Sequence, residues 1–132
     1  MSDTTMSKPR AGAVISTDLT VANADEVLAF YKQVIGWDSE ELTMEDEQGE
    51  YADYVVKDEA GNWVGGICHK RGMNADLPPQ WIVYVQVANI DESLQHCEAS
   101  GGEVLKKVTA EDGSVQYALI QDPAGAVLAI TK

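Results

Sequence analysis

The chain has 132 residues, 45% of them hydrophobic, and a net charge of −13 from 22 acidic against 9 basic side chains. That length and apolar fraction suit one compact domain with a substantial core. The charge repels phosphate backbones and anionic lipid, so nucleic acid and membrane surfaces are excluded as expected partners.

No apolar run approaches the ~20 residues of a membrane span. The N-terminus lacks the apolar segment of a secretory leader, so a cytoplasmic protein with reduced thiols is expected. Its cysteines, Cys68 and Cys97, sit in no paired-thiol motif and read as small buried hydrophobes.

Residues 1–12 are polar and aperiodic, with Pro9, and are expected to form a loose tail. Residues 13–21 alternate apolar and polar, which is a strand with Ser16, Asp18 and Thr20 on one side. Asn23 then takes the N-cap position of a helix, with Glu26 placed to reach back in a capping box. Val27, Phe30, Tyr31, Val34 and Ile35 fall on one apolar face at helical spacing. Gly36 ends the helix, and Trp37 opens the next strand as a core anchor. Beyond it, residues 38–49 are acidic and irregular, with Leu42 and Met44 hinting at an exposed strand. Residues 51–57 and 63–68 are strands joined by the turn Asp58-Glu59-Ala60-Gly61. The span 13–70 is therefore a βαβββ module. Residues 71–79, rich in glycine, proline, asparagine and aspartate, form a linker.

The span 80–132 repeats the module. Val21-Ala22-Asn23-Ala24-Asp25-Glu26 returns 66 residues later as Val87-Ala88-Asn89-Ile90-Asp91-Glu92, and the turn Asp58-Glu59-Ala60-Gly61 returns 64 residues later as Asp122-Pro123-Ala124-Gly125. Residues 81–87 give a strand, Asn89 a second cap, and Ile90, Leu94 and Cys97 the stripe of a second helix. That helix stops at Gly101-Gly102, and His96 stands in it where the first has Phe30. Strands at 104–108, 115–121 and 127–131 complete the copy. Two copies suggest paired half-domains, because a solenoid needs at least three repeats.

The strand-cap-helix signature through Phe30-Tyr31 and Ile35-Gly36-Trp37, with the closing Asp122-Pro123-x-Gly125 turn, resembles the vicinal oxygen chelate superfamily. That superfamily contains glyoxalase I, bleomycin-resistance proteins, fosfomycin-resistance enzymes and extradiol dioxygenases. The resemblance spans nearly everything after the tail. It implies an α+β fold of two βαβββ modules, forming an eight-stranded, cup-shaped sheet with helices on its outer face. Metal-dependent relatives hold the ion at four inward strand positions, which correspond here to Ser16, Gly65, Ile82 and Ala129. Three of these offer no side-chain lone pair, and Ser16 alone is a poor donor. No metal or other cofactor is therefore expected, and the chain resembles a metal-poor branch of the superfamily.

If those positions face inward, so do their alternate neighbours. The expected ligand-binding lining is Ser16, Asp18, Thr20, Trp63, Ile67, Ile82, Tyr84, Gln86, Val127 and Ala129. Asp18 is singled out as a candidate acid or base, since a buried carboxylate holds its proton more tightly; the plainer reading is a carboxylate anchored by hydrogen bonds. The leading expectation is a domain that binds a small organic molecule without metal. The alternatives are a metal-independent enzyme using Asp18, a metal-dependent lyase or dioxygenase, and an interaction subunit. A homodimer is expected, with Trp37 or Trp63 as interfacial candidates.

Overall fold

The computed structural model describes residues 10–72 and 75–132. Residues 1–9 of the expected tail and 73–74 of the expected linker lie outside the described residues. The elements are β1 (Val14–Val21), α1 (Ala24–Val34), β2 (Asp38–Asp46), β3 (Gly49–Lys57), β4 (Trp63–His69), β5 (Trp81–Gln86), α2 (Ile90–Ala99), β6 (Glu103–Thr109), β7 (Val115–Gln121) and β8 (Val127–Thr131). The chain is thus α+β, with eight strands in mixed pairing and the order strand, helix, three strands running twice. It divides into two compact units, Ser16–Trp81 and a second made of residues 82–132 with the segment up to Ile15. No helix among the described residues is long and apolar enough to cross a membrane.

In the first unit the strands lie in the order β2-β3-β4-β1, with β1 parallel to β4 and the other pairs antiparallel. α1 covers one face, where Ala24, Val56 and Ile67 are fully buried. Around them Tyr31, Trp37 and Trp81 pack ring against ring, with centroids 5.5–5.7 Å apart. The Trp81 indole N–H donates to the Tyr31 hydroxyl at 3.1 Å, so this partly buried polar group is satisfied. Phe30, Val34 and Ile35, expected on the apolar face of α1, are instead 57%, 63% and 51% exposed. The helix rests on Ala24, Val27, Leu28 and Tyr31, and a short helix lying on a sheet covers only the narrow stripe it touches.

β2 is a full nine-residue strand where the sequence hinted at one, paired with β3 from Asp38↔Lys57 to Asp46↔Gly49. It lies at the edge of the sheet, where charged side chains are tolerated and no apolar alternation is imposed. β4 carries an irregularity the sequence did not suggest. Val56 is level with Gly65, yet Lys57 is level with Trp63, so Val64 is an extra residue on β4. Such a bulge interrupts the alternation of side chains.

The second unit is ordered β5-β8-β7-β6, with β5 parallel to β8. α2 packs Ile90 and Leu94 on Ala118 and Ile130. Its cap forms as expected: the Asn89 side chain accepts the Glu92 N–H at 3.1 Å. The Asn23 cap does not, because the Asn23 amide donates to the Glu26 carboxylate at 3.0 Å and makes no bond to the helix backbone. The difference follows from the backbone: Asn89 is extended, at φ −144° and ψ 106°, whereas Asn23 is folded over at φ −111° and ψ 54°.

β1 and β4 approach closely over two glycines. A Cβ on Gly65 would lie 2.3 Å from the Thr17 carbonyl oxygen, a backbone atom that cannot step aside. A Cβ on Gly66 would meet the Asp18 carboxylate at 2.7 Å, which can rotate away. Gly65→Ala is therefore expected to cost about 1–3 kcal/mol in urea denaturation, the usual range for overpacking, and more than Gly66→Ala. Equal losses for the two variants would contradict this packing.

Candidate functional site

On the sheet face turned away from α1, polar side chains converge from neighbouring strands. β1 supplies Asp18 and Thr20, β3 supplies Asp53, and β4 supplies Cys68. The parallel register sets this meeting, placing Asp18 level with Gly66 and Thr20 level with Cys68. Thr20 and Asp53 are only 2% and 4% exposed, which for an aspartate demands an explanation. Part of it is local: one Asp53 oxygen accepts the backbone N–H of His69 at 2.7 Å. Gly66 forms the floor under the Asp18 carboxylate, so a larger residue there would displace it.

The electrostatics follow from this crowding. Burial pushes the Asp18 carboxyl above the ordinary carboxylate range, and the charge of Asp53 adds to the effect, while the Gly66 N–H pulls it partly back. Burial likewise drives the Cys68 thiol up to about 12, with the Asp53 and Asp18 charges contributing. Such a thiol is no nucleophile at neutral pH. A carboxyl that keeps its proton closer to neutrality can give or take one from a bound molecule.

A second layer connects this cluster to the N-terminus of α1. The His69 ring lies with Nδ1 3.4 Å from Asp53 and Nε2 3.4 Å from Asp25. The Tyr54 hydroxyl donates to Asp25 in turn. Beyond them the Arg71 guanidinium stacks 4.1 Å over the Tyr51 ring and holds Asp46 through two bonds of 2.8 and 2.9 Å. Arg71 is thereby engaged away from Asp18 and Asp53.

Of the residues expected to line the ligand face, Ser16, Asp18 and Thr20 share it. Ile67 does not. Ile67 is level with Leu19 and fully buried beneath α1, while Trp63, level with Lys57 on the side of Asp53, is 67% exposed beyond the bulge. The expectation carried the alternation straight through β4, and the extra Val64 puts Gly66 where Gly65 was expected. Asp53 and Gly66 were not anticipated, although an aspartate inside the run Tyr51-Ala52-Asp53-Tyr54-Val55-Val56 is out of place by strand preference and was a usable signal. In the second unit, the face turned away from α2 carries Ile82, Tyr84, Gln86, Val127 and Ala129. There Tyr84 is level with Ala129, and Gln86 with Thr131. The Tyr84 ring stands edge-on to Tyr117, centroids 5.7 Å apart.

The positions that the resemblance assigns to a metal do not fit one. Ile82 and Ala129 present hydrocarbon, Ser16 a single hydroxyl, and β4 a glycine on either face. Among the described residues, no group of three or more His, Cys, Asp or Glu side chains is arranged to hold a metal ion.

Comparison with known proteins decides the lineage. A family model of the glyoxalase/bleomycin resistance protein/dioxygenase superfamily matches residues 13–130. The chain belongs to that superfamily. Within it, the glyoxylase-named protein CFP32 of Mycobacterium tuberculosis is 30% identical over 121 residues, which cover 92% of this chain and 44% of CFP32. The chain thus spans less than half the length of the curated relatives it matches. Glyoxalase I from Zea mays shares the superfamily fold at a TM-score of 0.57 and 20% identity, over 92% of this chain and 43% of that one. Streptomyces coelicolor methylmalonyl-CoA epimerase, solved with 2-nitronate-propionyl-CoA, matches at a TM-score of 0.53 and 13% identity, covering 92% and 96% of the respective chains.

Proposed function

We propose that this domain binds a small organic molecule on the sheet face carrying Asp18, without a metal. One observation carries the reading: Asp18, Thr20 and Asp53 are held at little or partial exposure on a face that α1 does not cover, over a glycine floor. Burying carboxyl groups is costly and the packing of α1 does not require them there. A ligand-facing surface is a reason to keep them. In the second unit the corresponding surface would be Ile82, Tyr84, Gln86, Val127 and Ala129, with Tyr84 as a flat stacking partner. Ser16 completes the polar set on β1.

The test is a small-molecule screen by native mass spectrometry on chelator-treated protein, followed by titration of each hit against Asp18→Asn. Binding that survives chelation and weakens about tenfold in the variant supports the reading, the loss expected for a hydrogen bond to a charged group. Binding that vanishes on chelation, or that ignores Asp18, overturns it. The raised proton affinity of Asp18 favours a second reading, a metal-independent enzyme with Asp18 as acid or base. A turnover unchanged in Asp18→Asn would remove that role. The same reading takes the protein as a cytoplasmic homodimer that leaves nucleic acid alone, and sedimentation of the full chain with and without DNA checks the dimer and the indifference to nucleic acid.

A further inference from the structure

We infer that the cleft between α2 and strands β7–β8 is a second binding site, one that takes a flat apolar ring of about indole size. In the first unit, aromatic rings fill the matching place. There Tyr31, near the end of α1, and Trp37, just after it, pack with Trp81 as a three-ring wedge between helix and sheet. Sixty-six residues further on, the Tyr31 position holds Cys97 and the Trp37 position holds Glu103. The rings are gone, and the sheet has not closed up. A cleft of about 320 Å³ remains, with Val87, Cys97, Ile120 and Ile130 among its lining.

The walls set the ligand chemistry. Ile130 is buried, and Val87, Cys97 and Ile120 are half-buried, so the interior is apolar. The Cys97 thiol sits against the chain at Gly102, where a Cβ would come within 2.9 Å of Sγ, and this fixes the floor. His96 and Asp122 border the cleft and are exposed, so polar atoms stand at its mouth. The volume lies at the lower end of the ~300–1,000 Å³ of small-molecule sites, enough for a one- or two-ring molecule. Asp122 at the mouth and a net charge of −13 favour a neutral ring with an N–H or O–H edge over a carboxylated one.

This site is independent of the Asp18 face, and its test separates the two. Indole is titrated into the isotope-labelled full chain, with amide shifts followed by NMR and indole-3-acetate as the anionic control. Saturable shifts confined to the amides around Val87, Cys97, Ile120 and Ile130, with weaker binding of the acetate, are expected. Cys97→Phe, which places a ring in the cleft from the protein side, should weaken indole by at least about tenfold, the worth of a few buried carbons. Should that variant fail to fold, Ser100→Tyr narrows the mouth from the exposed end of α2 and should weaken indole comparably. Asp18→Asn should leave indole binding unchanged. Shifts that never saturate, that fall elsewhere, or that persist at full affinity in both cleft variants overturn the inference.

Discussion

In the folded protein at pH 7, Cys68 should react with iodoacetamide at least about fiftyfold more slowly than in the urea-unfolded chain. Burial and the adjoining carboxylates raise its thiol from an ordinary value of 9.0 to about 12. The thiolate population therefore falls roughly a thousandfold, each pKa unit being a factor of ten. A more basic thiolate is intrinsically more nucleophilic, and a Brønsted slope of about 0.4–0.5 returns roughly 20-fold of that loss. The remainder is a lower limit, since half-burial also screens the sulfur from the reagent. Peptide mapping resolves Cys68 from Cys97, so the two rates are read separately. A Cys68 rate equal to that of the unfolded chain would mean that the cluster of Asp18, Asp53 and Cys68 is open to water.

Asp18→Asn should stabilise the protein at neutral pH while weakening the ligand. The folded carboxyl is shifted above its ordinary value of 3.8, so between that value and its raised folded value the native state binds more protons than the unfolded chain. Stability is then greatest below the unfolded value and declines as pH rises through the folded one. At pH 7 the wild type bears the full cost of a partly buried charge beside a second carboxylate. Asparagine is uncharged and keeps a carbonyl oxygen for the Gly66 N–H. A more stable variant at pH 7 is the expected result, because the folded carboxyl is charged there at a cost the unfolded chain does not bear. The gain should fade as pH falls toward the ordinary value of 3.8, because the folded carboxyl takes up its proton above it. Urea titrations of both proteins across pH 4–8 measure it. A variant less stable than wild type at pH 7 would show that the charge is compensated in the folded state.

How much of this was legible in the sequence depended on whether a feature is written in residue types or in residue counts. The turns at Asp58 and Asp122 are written in types: each aspartate accepts backbone N–H groups of its own loop, Ala60 and Asn62 in one case, Ala124 and Ala126 in the other. The stop of α1 is similar, since Gly36 stands at φ +87°, where a side chain is strained. The bulge at Val64 is a matter of counting. Nothing in Val64 itself announces an extra residue, and that one residue moved Ile67 from the expected ligand face to the packed one. In the second unit, where β7 and β8 pair without interruption, alternation places Val127 and Ala129 on one face as expected. The exposure of Phe30 and Val34 was illegible for another reason. Periodicity shows which residues share a helix face, but not how wide a stripe the sheet beneath can cover.

The wedge of Tyr31, Trp37 and Trp81 has a spectroscopic consequence. Every tryptophan of the chain, Trp37, Trp63 and Trp81, lies in the unit Ser16–Trp81, and residues 82–132 contain none. Two of these indoles stand 5.7 Å apart, close enough to couple as transition dipoles. Emission excited at the red edge of the indole band is therefore a built-in label for one half of the molecule. Set beside a far-ultraviolet signal from the whole chain, it tells whether the two units melt together, with no dye attached.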